Sequence, residues 1–189
     1  STSGHVATYS GTSGTALQDQ ASIVTSQNVA IGSGRPWCDI RAKGAVGDGV
    51  TDDTAAWNAC VIQLNSLGAG ILFVPPGLYC TFTGFTITGL SLGDIWILGS
   101  GVRASALTAC GHDVEVLNVN QQFGRTDNLA IYGYGMSATD SVIGVTAAAL
   151  HAGPGASYWE FHHLLVQGGA FPVFAECAGC RFDEVTAQY

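Results

Sequence analysis

The chain has 189 residues, enough for one domain with a substantial core. Six basic residues stand against fourteen acidic ones, and the net charge of −8 excludes a phosphate-neutralising nucleic-acid binder and disfavours anionic membrane surfaces. Charged residues are 11% of the chain, hydrophobic ones 47%, and 26 positions are Gly, a balance that argues for a turn-dense β protein and against disorder or a helical bundle.

No apolar run is long enough to span a bilayer, and no secretory leader opens the chain. Because the chain starts at Ser1 and stops inside what reads as a strand, it is expected to be a piece of something longer. Residues 1–36 are rich in Ser, Thr and Gly with little periodicity, so they read as an extended linker or attachment segment. Residues 37–69 read as a glycine-rich turn followed by one helix. Thr51 or Asp53 is placed to accept hydrogen bonds from the first turn of that helix, and Asp52 and Asp53 suit its positive end. Trp57, Cys60, Val61, Leu64 and Leu67 then recur on one apolar face, and Gly68 stands where a left-handed C-cap is needed. A helix with one apolar face directly ahead of a β stack covers its open end. The acidic group Asp48, Asp52 and Asp53 lacks the ligand alternation of a calcium loop and reads as turn plus cap. No metal site and no cofactor are expected.

From residue 70 to 189 the pattern becomes short β runs between glycines. Four of them superpose, beginning at Asp94, Asn128, His163 and Glu184, at offsets of 34, 35 and 21 residues. Each runs polar, apolar, variable, apolar, and the first three close on Gly99, Gly133 and Gly168. Period-two alternation puts Ile95/Ile97, Leu129/Ile131, Leu164/Val166 and Val185/Ala187 on one inward face. Val114–Val119 fits a further strand of the same turns. Such units cannot bury an inner face singly and must stack. The predicted fold is therefore an all-β parallel solenoid with an N-terminal capping α-helix, preceded by the extended segment.

The six cysteines (Cys38, Cys60, Cys80, Cys110, Cys177 and Cys180) are widely scattered and read mostly as free, buried thiols. Cys177 and Cys180 with Cys110 and His112 make only a fragment of a zinc pattern.

Stacking would bring Asp94, Asn128, His163 and Glu184 into one corner column, and Gly93, Asp127, His162 and Asp183 into a second. With neighbouring turns about 4.8 Å apart, His162 or His163 comes within reach of Asp127, Asp183 or Glu184. His162, His163, Asp183 and Glu184 are the candidate acid–base residues, and a solvated corner of ordinary turn residues is the alternative. Glu160 and Glu176 are further acidic candidates, whereas Arg103, Arg125 and Arg181 read as isolated. Trp96, Tyr132, Tyr158 and Trp159 are the candidate contacts, either for sugar rings or for neighbouring subunits.

The run Asp39–Ala56, with Val74-Pro75-Pro76-Gly77-Leu78-Tyr79 after the helix, resembles the opening of the pectate-lyase-like, right-handed parallel β-helix superfamily. The phrase from Tyr9 to Asp19 is similar to a short element near the start of many phage tail and spike proteins. The resemblance implies the N-terminal part of a tailspike or tail fibre: a homotrimeric virion protein, joined to other tail proteins by its first segment. It implies attachment to bacterial surface polysaccharide, with depolymerase activity in a longer chain as an open possibility. A secreted polysaccharide lyase or glycoside hydrolase, and a purely structural virion connector, stay open beside it.

Overall fold

The computed structural model describes residues 6–9, 17–20, 35–89, 94–134 and 145–188. Gly93, Tyr189, the centre of the Tyr9–Asp19 phrase and most of residues 1–36 lie outside the described residues. Strands β1 (Val6–Tyr9) and β2 (Leu17–Gln20) pair antiparallel, where unpaired extended chain was expected.

The body is a curled stack of parallel strands. A first turn holds β3 (Trp37–Asp39) and β4 (Asp48–Asp52), and helix α1 (Thr54–Leu67) follows. A second turn holds β5 (Gly70–Val74), β6 (Gly77–Thr81) and β7 (Phe85–Ile87). The third holds β8 (Ile95–Gly99), β9 (Ser105–Ala109) and β10 (Leu117–Val119). Then come β11 (Gly124–Tyr132) with β12 (Ala148–Ala152), β13 (Trp159–Gln167) with β14 (Phe171–Ala175), and β15 (Arg181–Gln188).

These strands build three faces. The first is β3-β5-β8 continued by the leading halves of β11, β13 and β15. The second is β4-β6-β9 continued by their trailing halves. The third is β7-β10-β12-β14. Asn128, His163 and Glu184 adopt left-handed φ values of 59°, 48° and 52°, so β11, β13 and β15 each turn the corner between faces one and two without breaking. In the two turns before, the same corner interrupts the strand, at Pro75-Pro76 and after Gly99. A Cβ on Gly99 would collide with the carbonyl of Asn128 in the next turn.

The inward residues form one core. Ile97, Ile131 and Val166 are fully buried in the same cluster, as are Ile95, Leu129 and Phe161, and Leu164 is nearly so. The predicted register between Asn128, His163 and Glu184 is observed. The register assigned to Asp94 is not. Ile95 pairs with Gly124 rather than Leu129, and Leu107 of β9 pairs with Ile131. Both faces obey the same in–out alternation, so a strand of face one imitates the face-two half of a bent strand.

Helix α1 packs on β3, β5 and β7, burying Trp57, Cys60, Val61 and Leu64. The Trp57 indole donates to the Thr86 carbonyl at 3.1 Å and its ring lies 4.9 Å from Phe85. Gly68 closes the helix at φ 80°. Leu67 is exposed instead of buried: it is the last residue of the helix, beside the Gly68 cap. The N-terminus also differs from expectation. Asp53 is the N-cap residue by position, but its carboxylate accepts the N–H groups of Val46 (2.7 Å), Gly47 (3.3 Å) and Cys80 (3.2 Å). Asp52 accepts the Thr54 N–H at 3.0 Å in its place. Asp48 accepts the N–H groups of Val50 and Thr51, which hold its carboxyl below the usual range and make it a turn residue.

The thiol expectation is overturned, since the cysteines pair as Cys38–Cys60, Cys80–Cys110 and Cys177–Cys180. Stacking sets the Cα atoms of the first two pairs 5.5 and 5.7 Å apart although 22 and 30 residues separate them in sequence. The first bond ties α1 to the opening strand, the second joins two neighbouring turns, and the third closes the bend between β14 and β15.

Candidate active and binding face

The outward side chains of face one run in two ladders. Trp37, Ile71, Trp96, Arg125, Glu160 and Arg181 follow one another through successive turns. Asp39, Phe73, Leu98, Asp127, His162 and Asp183 run beside them. The early turns are therefore apolar and aromatic, and the later ones ionic. The chemistry changes along one surface.

In the ionic part every neighbour is paired. Arg125 donates through Nε (3.1 Å) and a terminal nitrogen (2.6 Å) to one Asp127 oxygen. Arg181 faces Asp183 at 3.6 Å. Neither arginine is isolated, contrary to the expectation, because residues two apart on a strand share a face and each Arg-x-Asp pair meets there. His162 lies 3.3 Å from Glu160 on its own strand and 3.5 Å from Asp183 on the next turn. His163 sits at the corner, with Nδ1 3.1 Å from Asp127 and Nε2 2.5 Å from Glu184. The four candidate acid–base residues are thus brought together, and Asp127, Glu160 and two arginines join them. His163 is held between carboxylates of the turns on either side, and His162 between one on its own strand and one on the next turn. Such a chain of donors and acceptors can pass protons along the surface and can hydrogen-bond hydroxyl groups.

Accessibility divides the cluster. The His162 side chain is 10% exposed, while those of His163 and Glu184 are 50% and 67% exposed. His163 and Glu184 border a groove of about 360 Å³ with Arg103 and Leu165 on the second face. Asp94 is absent from this corner. It takes Arg35 at 2.6 Å and the Trp96 indole at 2.9 Å at the margin of face one, with the Arg35 guanidinium 4.3 Å from the Trp96 ring centre.

The contact candidates separate. Trp96 is partly exposed on face one, where Ile71, Trp96, Leu98, Arg125 and Asp127 enclose about 220 Å³. Tyr158 is 62% exposed at the bend entering β13. Tyr132 lies on the outer side of face two, opposite Thr108 and Gln167. Trp159 is fully buried and its indole donates to the Thr126 hydroxyl at 3.0 Å, so it is a core residue and not a surface contact. Its inward direction follows from the strand's parity once Tyr158 occupies the bend.

Two groups had no separate signal in the sequence. Phe123, 43% exposed, stacks on Tyr158 at 5.5 Å with ring planes 9° apart. On face three His151 lies between Glu115 (3.0 Å) and Glu176 (3.3 Å), with Asn118 donating to Glu115 at 2.6 Å. These partners meet only through pairing of Asn118, His151 and Phe174 across β10, β12 and β14.

No protein family matches the sequence, and no curated protein does. Solved structures do match by shape. ORF18 of Geobacillus virus E2 superposes with a TM-score of 0.51 at 20% identity, covering 69% of this chain and 26% of that one. The Agl-KA catalytic domain gives 0.57 at 16%, over 79% and 27%. The A-module of the mannuronan C-5 epimerase AlgE4 from Azotobacter vinelandii gives 0.54 at 14%, over 79% and 41%. At these identities the likeness is one of fold. The chain spans about a quarter of the first two proteins and two-fifths of the third.

Proposed function

We propose that the chain is the N-terminal part of a phage tailspike- or tail-fibre-type protein, a right-handed parallel β-helix that binds bacterial surface polysaccharide on face one. The carrying observation is the ladder itself: partly exposed aromatic rings on early turns continue into carboxylates and imidazoles on later ones. A sugar offers C–H faces to the first and hydroxyls to the second, and repeating units suit a surface repeated at the spacing of the turns. The likeness in fold to a virus protein supports the virion setting, and that to a mannuronan-acting module supports a polysaccharide partner. In this reading the protein trimerises, resides in the virion, and joins other tail proteins through residues 1–36.

A second reading adds depolymerase activity in the longer protein, by hydrolysis or elimination. It is favoured by His163 lying between Asp127 and Glu184 beside an open groove. Incubating the full-length protein with host capsular polysaccharide tests both. Retention on the polymer with new reducing or unsaturated ends supports binding plus cleavage, and retention alone supports attachment. Absence of retention on every surface polysaccharide of its host ends the proposal.

A further inference from the structure

We infer that the stacked Phe123 and Tyr158 form a sugar-ring platform, and that the groove beside it selects uncharged sugar residues over uronates. The inference deepens the preceding reading and rests on it. The two rings stand immediately before Gly124 and Trp159, which pair in register, so they occupy the same bend in consecutive turns. Their φ values are 56° and 61°, in the left-handed region that favours glycine. One turn later the equivalent position is Gly179, at φ 74°. Glycine therefore serves this bend, yet two bulky rings are held there against the backbone preference and left exposed. Residues kept in such conformations cluster at ligand sites.

The rings border a groove of about 250 Å³, lined also by Asp94, Trp96, Arg125 and Glu160, close to the lower end of small-ligand sites. The Tyr158 ring rests against Gly179, with ring atoms 3.2 Å from where a Cβ there would stand, so it is propped from the far side. The pair presents an apolar rim above polar walls, which matches a pyranose with its C–H groups against the exposed Phe123 ring and the Tyr158 edge and its hydroxyls on Glu160.

Charge sets the selection. Arg125 is occupied by Asp127, and Asp94 is occupied by Arg35. Glu160 faces His162 and forms no ion pair with an arginine or lysine among the described residues. Its side chain is 46% exposed. A uronate carboxylate entering the groove meets Glu160 while Arg125 and Arg35 are already engaged by Asp127 and Asp94, and like charges at close range repel.

The test measures binding of the full-length protein to two sets of bacterial capsular oligosaccharides by calorimetry, one with neutral repeats and one with a uronate in each repeat. Wild type, Tyr158→Phe and Tyr158→Gly are compared, the last preserving the left-handed bend while removing the ring. The expected result is binding within the neutral set, retained by Tyr158→Phe and weakened about tenfold in Tyr158→Gly, with Phe123→Leu weakened similarly and melting curves unchanged. Preference for the uronate set, or wild-type affinity in both Tyr158→Gly and Phe123→Leu, overturns the inference while polysaccharide binding stands. Binding to neither set overturns both.

Discussion

Asp53 shows how much one side chain can organise. It is 2% exposed, and its two oxygens collect N–H groups from the Val46–Gly47 turn and from Cys80 on the second turn of the stack. Hydrogen bonds to a buried carboxylate are stronger than neutral ones, and removing it leaves donors unsatisfied. Asp53→Ala is expected to lower unfolding stability by about 3 kcal/mol in a urea titration. A loss under about 0.5 kcal/mol would mean that water replaces the carboxylate and that the turn is held by other contacts. The sequence marks Asp53 as a helix cap, and its position is the N-cap. Which amides it serves depends on Cys80 lying alongside, a contact between residues 27 apart.

Among the elements, α1 is the one whose amphipathic face is legible in the residue spacing. Trp57, Cys60, Val61 and Leu64 lie on one stripe because helical geometry is local. The bond from Cys60 to Cys38 is not legible there, since it needs the helix to settle over β3. Closing a loop of this length restricts the unfolded chain, so the double variant Cys38→Ser/Cys60→Ser is expected to lose about 3 kcal/mol. Thermal unfolding of that variant against wild type under oxidising conditions checks it; equal midpoints would show that apolar burial alone seats the helix. The strands repeat the lesson. For β11, β13 and β15 the corner lies inside one strand, so Asn128, His163 and Glu184 superpose directly. For β8 the corner falls after Gly99, and similarity of pattern attaches it to the wrong half of β11.

At the level of the whole stack, the outer surface retains apolar groups that a lone chain leaves in water. Phe171 and Phe174 are 50% and 43% exposed on and beside face three, and Phe82 is 50% exposed. Trimer formation would cover surface of this kind, and the full-length protein is expected to sediment at three times its monomer mass at micromolar concentration. A monomer under those conditions removes the trimer from the proposal. The candidate site also belongs to this level. Its residues come from β11, β13 and β15, and no two of the three strands are adjacent in sequence, so the surface exists only as a product of stacking.

The all-β character, the one amphipathic helix and the parity of the strands are written in the sequence, since propensity and period act over a few neighbouring residues. So is the meeting of His162, His163, Asp183 and Glu184 at one corner, because the offset between the later turns is readable. Packing had to settle which cysteines meet, which aromatic ring is core and which is exposed, and how Arg125 and Arg181 are neutralised. Those outcomes depend on register between turns separated by loops of unequal length, and a one-residue slip in register would send every side chain of a strand to the opposite face.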